Sequence, residues 1–249
     1  MKMSEGRIAV VVGAARGIGL AAAKRLAARG DRIVGIDLQA DVLRKAMASI
    51  GDDRKALAIP ADVSSAGEVE KAFARIAAEF GAPEVLVNCA GITGKTGIPA
   101  HEVELEDFDR VYAINLRAAF LLTRAAVRAM LPSGKGRILH VASIAGKEGN
   151  AGMLAYSATK AGLIGMVKSA GKDYAETGIT INALAPAVIR TDMVAAMPEH
   201  QVKYMTDKIP MKRTGELEEA AAMIEFIVSP DCSFTTGFTF DLTGGRATY

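Results

Sequence analysis

A doubly wound α/β fold, one parallel sheet of about seven strands between two layers of helices, is what this chain of 249 residues predicts. Three observations predict it. Short apolar runs alternate with helical segments from Arg7 to about Leu184, the pattern of repeated βα units. A glycine turn joins the first run to the first helix. Polar residues Asp37, Asp62 and Asn88 close successive runs, which lines the strand ends along one edge of a parallel sheet, where open α/β folds take ligands. Apolar residues make up 50% of the chain, enough for a full core, and no Pro/Ser-rich linker, repeat or low-complexity tract divides it. Residues 1–249 are therefore expected to form one domain.

Arg7 to Val12 is the first strand, followed by Gly13-Ala14-Ala15-Arg16-Gly17-Ile18-Gly19 and an alanine-rich helix to Arg29. Glycines at these points let backbone pass close to a pyrophosphate, which rests on the amide-rich, partially positive helix N-terminus. The second strand, Arg32 to Ile36, ends on Asp37, eighteen residues after Gly19, where such folds place the carboxylate that bonds ribose hydroxyls. That carboxylate repels a 2′-phosphate, whereas Arg16 would accept one; Asp37 stands at the 2′ position itself, so NAD is expected over NADP. Asp37 also suits a helix N-cap. Asp62-Val63 follows Ala56 to Ile59; an acid there accepts either the adenine amino group or the amides of the next helix. Val85 to Val87 opens into Asn88-Cys89-Ala90-Gly91, whose small side chains leave room for the nicotinamide-side ribose.

The strand-like run Arg137 to Ala142 closes on Ser143, and Tyr156 and Lys160 follow on a helix running from Ala155 through Gly165 toward Tyr174. Residues four apart share a helix face. An ammonium beside a phenol favours the phenolate. Bringing a tyrosine from ~10 to neutrality takes about 3 units, or roughly 4 kcal/mol, more than one solvated lysine supplies, so a second positive charge such as an oxidised nicotinamide is implied. The same spacing recurs at Tyr204 and Lys208, between Pro198 and Pro210, without a strand or a serine before it. That pair reads as a solvated or lid helix face.

Order and spacing of these pieces resemble the short-chain dehydrogenase/reductases over essentially the whole chain. The matching residues are Gly13-x3-Gly17-Ile18-Gly19, Asp62-Val63, Asn88-Cys89-Ala90-Gly91, Asn115 within Ile114-Asn115-Leu116, Ser143, Tyr156-x3-Lys160 and Pro186-x4-Thr191. Val12 and Cys89 depart from the usual threonine and asparagine, both near the cofactor and neither at the reacting groups. The resemblance implies a Rossmann fold and a catalytic set of Asn115, Ser143, Tyr156 and Lys160. Tyr156 would exchange the proton with the substrate oxygen, Lys160 would lower its pKa and bond the ribose, Ser143 would donate to the same oxygen, and Asn115 would hold a water linking Lys160 to solvent. Pro186, Val188, Ile189 and Thr191 would line the nicotinamide.

The segments from Ala145 through Gly152, from Ala185 to Thr191 and from Phe234 to Phe238 are similar to the branch that oxidises 2-keto-3-deoxy sugar acids, such as L-fuconate and L-rhamnonate derivatives, at C4. Lys147, Glu148, Asn150, Met153 and Arg190 would then meet the substrate with Ser143 and Tyr156, and inward-pointing bases among Lys147, Arg190, Lys203 and Lys208 would suit its carboxylate. Residues 191–215, carrying Met193, Met197, Met205 and Met211, read as a substrate lid. Two other readings stand beside this one. Gly149-Asn150-x-Gly152 also looks like the carrier-protein reductases, which would reduce a 3-oxoacyl thioester with NADPH. A nucleotide-sensing protein that kept the fold and lost the chemistry is the third.

A net charge of +2 with dispersed bases gives nucleic-acid binding little support. Cys89 and Cys232 form no metal or redox spacing, and His101, His140 and His200 are scattered, so no metal is expected. His140 reads as a satisfied core histidine. No apolar run approaches a membrane span and Met1 to Arg7 lacks a signal-peptide core, so a cytoplasmic location is expected. Apolar residues on more than one face of the helices from Leu105 to Met130 and from Ala155 to Ala175 imply, in this family, a homotetramer, and the tail from Arg246 to Tyr249 would reach a neighbouring subunit.

Overall fold

The computed structural model describes residues 6–51, 55–247 and 249. Thr248 lies outside this set, as do the side chains of Met193 and His200 and the N-terminal residues up to Glu5. Seven strands pair in the order β3-β2-β1-β4-β5-β6-β7, all parallel. They are β1 (Ile8–Val12), β2 (Arg32–Asp37), β3 (Ala56–Pro60), β4 (Val85–Asn88), β5 (Lys135–Val141), β6 (Gly178–Pro186) and β7 (Thr239–Leu242). The order reverses between β1 and β4, which opens a crevice at their carboxyl ends.

β1 shows why the sheet is buried on both faces. Its five residues alternate between two cores: Ile8, Val10 and Val12 pack into one, Ala9 and Val11 into the other. Period-two side-chain alternation does this only where helices cover both faces, hence the continuous apolar run. Helices α3 (Ala66–Glu79), α5 (Ala118–Met130) and α7 (Leu154–Asp173) supply the first core; α1 (Gly17–Ala28), α2 (Ala40–Ala48) and α10 (Leu217–Ile227) supply the second.

The long helix expected from Leu105 to Met130 is interrupted. α4 (Leu105–Tyr112) passes through a π turn at Ala113–Arg117 before α5 begins. π turns insert one residue into the helical repeat and re-aim the side chains they carry; this one carries Asn115. The remaining helices are α6 (Ala145–Glu148), just after Ser143, and α8 (Asp192–Ala195) and α9 (Glu199–Asp207) within the expected lid. Among the described residues no helix is long and apolar enough to cross a membrane.

Candidate active site

The glycine turn leaves β1 with Gly13 at φ +75° and Gly17 at φ +56°, backbone that side chains disfavour. Gly19 must be glycine for a different reason: a Cβ there would stand 2.1 Å from the Gly13 carbonyl oxygen. Arg16, at the N-cap of α1, makes no side-chain bond to the helix amides, so they face outward as an anion cradle. Asp37 lies at the floor of this turn. Its Oδ2 accepts from Ala15 N at 3.1 Å and its Oδ1 from Gln39 N at 3.0 Å, which aligns the carboxylate and leaves lone pairs for further donors. The Arg16 guanidinium donates to Gln39 Oε1. These residues fit an NAD pyrophosphate and adenosine ribose.

Asp62 Oδ1 accepts from Ser64 N at 2.9 Å and Ser64 Oγ at 2.7 Å, and Ser65 rather than Asp62 N-caps α3. Val63 is buried in the core. Across the crevice, Ile189 is buried and pairs with Gly215, and the backbone of Val188 and Arg190 is pinned to that same glycine. Pro186 ends β6 with its carbonyl accepting from Ile144 N at 3.0 Å. Thr191 caps α8, and its methyl lies 3.7 Å from where a Gly17 Cβ would be, so the loop after β6 closes on the glycine turn.

Ser143, Tyr156 and Lys160 converge beside Gly91. Ser143 is buried, and its Oγ accepts from Ala145 N at 3.1 Å, leaving its own proton to donate. Ser143 lies close enough to the Tyr156 phenol to act on it, in the direction that lowers its pKa. Lys160 is 4% exposed, with Nζ donating to Val141 O at 2.7 Å and 5.7 Å from the Tyr156 ring centre. A Cβ on Gly91 would stand 3.2 Å from Lys160 Nζ and 3.3 Å from Asn115 Oδ1, so these groups close tightly around the glycine. Asn115, fully buried, accepts from Ile92 N and donates to Ile92 O, both at 2.9 Å, and donates to Thr159 at 3.2 Å.

Without the charge of an oxidised nicotinamide, which the acidification of Tyr156 was expected to need beside Lys160, burial raises the Tyr156 pKa, against the lowering effect of Ser143. Burial also depresses Lys160 to about 8, countered by Cys89. The exposed decoy shows the contrast: Lys208 Nζ donates to Tyr204 OH at 3.0 Å, and that bond lowers the Tyr204 pKa by more than desolvation raises it.

Three expected substrate contacts are held by the C-terminal tail. Lys147 Nζ pairs with Asp241 at 2.7 Å and also donates to the Tyr249 carbonyl oxygen. Arg246 bonds Glu148 at 2.7 Å and Asn150 Oδ1 at 3.3 Å. Lys203 pairs with Asp207 at 2.8 Å on an exposed face, so it and Lys208 do not point inward. Sequence alone could not show this, since the partners lie roughly a hundred positions away. Met153 N-caps α7 near Asn150, and Arg190 lines a cleft of about 270 Å³ beneath α8 and α9 with Val194, Glu199 and Thr214.

The family model described as enoyl-(acyl carrier protein) reductase matches residues 13–246. Over 244 residues the chain is 45% identical to a 2-dehydro-3-deoxy-L-rhamnonate dehydrogenase (NAD(+)) of a Sphingomonas species, covering 98% of this chain and 96% of that protein. It is 36% identical over 241 residues to the 3-oxoacyl-(acyl-carrier-protein) reductase FabG of Vibrio cholerae, covering 97% of each. It superposes with a TM-score of 0.93, at 30% identity and over 100% of both chains, on an actinorhodin polyketide ketoreductase crystallised with NADPH. The chain belongs to the short-chain dehydrogenase/reductase family. It is an oxidoreductase acting on CH–OH groups.

Two groups in this short-chain dehydrogenase were not singled out from sequence as parts of the site. Gly146 packs α6 directly on the backbone of α7, and nothing in a lone glycine of a polar turn announces that contact. His140, read only as core, is bonded to Asn88, next to the Ala90-Gly91 turn. Burial, with the Lys160 charge adding, pushes His140 down to about 3 from its ordinary 6.5. Between those values the unfolded chain binds a proton that the folded chain refuses. The resulting stability is fully present above pH 6.5 and declines as pH falls toward 3, by about 1.4 kcal/mol per unit from this one group. Urea midpoints measured from pH 7 to pH 4 should fall accordingly, and His140→Asn should flatten the decline.

Proposed function

We propose that this chain is an NAD-dependent dehydrogenase that oxidises a 2-keto-3-deoxy sugar acid at C4. The observation that carries the cofactor and the chemistry together is the Asp37-floored glycine cradle opening toward buried Ser143 and half-buried Tyr156. The rhamnonate dehydrogenase at 45% identity supports the substrate class. Gly13, Gly17, Gly19 and Asp37 hold the adenosine half of NAD; Ala90, Gly91, Lys160 and the Pro186-to-Thr191 segment hold the nicotinamide half. NAD supplies the hydride acceptor.

Every other function belongs to the protein's own side chains. The Ser143 proton, free because Ala145 N occupies an acceptor site on Oγ, is donated to the substrate oxygen and stabilises charge that grows there. Tyr156 takes the hydroxyl proton as general base and returns it in the reverse direction. Lys160 spends one of its donors on Val141 O and has two left, one for a ribose hydroxyl. Its positive charge favours the ionised phenol once Tyr156 gives up its proton. Residues 191–215 act as the substrate lid, with Arg190 at its hinge end. Exposed Leu105, Tyr112, Phe120 and Leu131 on and beside α4 and α5 support a homotetramer, and a cytoplasmic location fits a sugar-acid pathway enzyme.

Initial rates of nicotinamide absorbance test the reading. NAD reduction by 2-keto-3-deoxy-L-rhamnonate or L-fuconate is expected; activity confined to acetoacetyl thioester with NADPH would overturn it in favour of the carrier-protein reductases, which FabG at 36% identity keeps as the second reading. In the same assay Asp37→Ala should shift the NAD-to-NADP preference by about tenfold, near 1.4 kcal/mol.

A further inference from the structure

Strand β5 carries an ionisable side chain that no step above uses. His140 is fully buried and pairs in register with Asn88 of β4. The directions of its bonds follow from one unambiguous donor. Ala90 N–H donates to Asn88 Oδ1 at 3.1 Å, so Asn88 turns its amide nitrogen toward His140, with Nδ2 to Nδ1 at 3.2 Å. Nδ1 therefore accepts and the ring proton sits on Nε2, which donates to Thr123 Oγ1 at 2.8 Å. The Thr123 proton goes on to Ala119 O at 2.8 Å. One unbroken chain of hydrogen bonds thus runs from α5 through β5 and β4 to the backbone amide of Ala90.

The turn at its end has little room to move. A Cβ on Gly13 would stand 3.1 Å from Ala90 N, and one on Gly91 would stand 3.2 Å from Lys160 Nζ. Position 140 needs a group that accepts toward β4 and donates toward α5. A neutral imidazole does both. An imidazolium would set N–H against the Asn88 amide, and burial beside Lys160 keeps that form away.

We propose that His140 is a positioning residue for the cofactor site: by fixing Asn88 it holds the Ala90-Gly91 turn at the spacing that the nicotinamide-side ribose and the Lys160 ammonium both require. This rests on the NAD reading given above. Asparagine at position 140 places an acceptor near Nδ1, glutamine a donor near Nε2, and leucine neither. NAD affinity by titration calorimetry and amide exchange of the segment carrying Ala90 and Gly91, in protein without cofactor, separate positioning from mere packing. His140→Leu should weaken NAD binding roughly tenfold, as loss of one buried hydrogen bond allows. It should also speed exchange at Ala90 and raise KM for NAD more than it lowers kcat. His140→Asn should restore most of the affinity, and His140→Gln should restore less. If His140→Leu does not fold, the Asn and Gln pair decides alone. Equal affinity in wild type, Asn and Gln, or an Asn variant as weak as Gln or Leu, overturns the proposal. A wild type that binds no NAD overturns the functional reading and this inference with it; unchanged variants beside a wild type that binds NAD overturn the inference alone.

Discussion

Tyr156→Phe should lower kcat for alcohol oxidation by about 10²–10⁴-fold, the range expected when a positioned general base is lost, while NAD still binds. Only the phenolic oxygen is removed, and the ring keeps its place on α7. Burial makes the Tyr156 proton harder to remove than in water, with Ser143 as the opposing partner. Oxidation needs that proton gone, so kcat/KM should climb with pH into the alkaline range in the wild type. The residual rate of the variant should be flat. A variant that keeps more than a tenth of wild-type kcat, with chemistry shown to be rate-limiting, would remove Tyr156 from the mechanism. The partner lysine adds a second signature. Lys160, depressed to about 8 by burial, loses its charge at lower pH than Tyr156, whose pKa burial raises, so the profile should show two separate steps.

The second large effect belongs to a residue with no polar side chain. Gly146→Ala should cut kcat/KM by about 10²-fold and lower the melting temperature, with NAD affinity little changed. A Cβ at Gly146 would stand 2.6 Å from the Lys160 carbonyl carbon, 2.8 Å from its oxygen and 2.9 Å from Ala161 N. All three are backbone atoms of α7, so no side chain can swing aside. Restoring ordinary contact near 3.6 Å requires α6 to retreat by about 1 Å, and overpacking of this kind costs roughly 1–3 kcal/mol. Ser143 is tied to α6, since its carbonyl accepts from Gly146 N at 2.9 Å, whereas Tyr156 sits on α7. The retreat therefore separates the two groups that must meet one substrate oxygen, and a misplacement of about 1 Å costs on the order of 10²-fold. Rates within threefold of wild type would show that the Ser143 turn is not held by this contact.

Much of the site was legible because its signals are local. The glycine turn, Asp37 at the end of β2 and the four-residue spacing of Tyr156 and Lys160 each follow from neighbours within about twenty positions. So does the doubly wound sheet, because strand and helix periods are short-range patterns that survive without knowledge of the packing. The sugar-acid branch was legible in short segments near Ser143, Pro186 and Phe234, and the 45% identical relative belongs to that class.

What the sequence left open was whatever depended on burial or on distant partners. Lys147 and Glu148 looked like pocket residues because solvated loop charges carry no mark of their partners; Asp241, Arg246 and Tyr249 claim them from the other end of the chain. Spacing places an ammonium near Tyr156 but does not reveal that Lys160 is buried and Tyr156 half-buried, which moves both pKa values. Sequence by itself determined the order of strands and helices, the cofactor cradle and the identity of the reacting groups, since these are written in local periodicity and residue type. Only the tertiary structure decided which charges are already paired, which pKa values rise or fall, and that Gly146 packs on the backbone of α7 and His140 bonds Asn88. Those properties depend on desolvation and on contacts between backbone segments, and neither exists until the chain has folded.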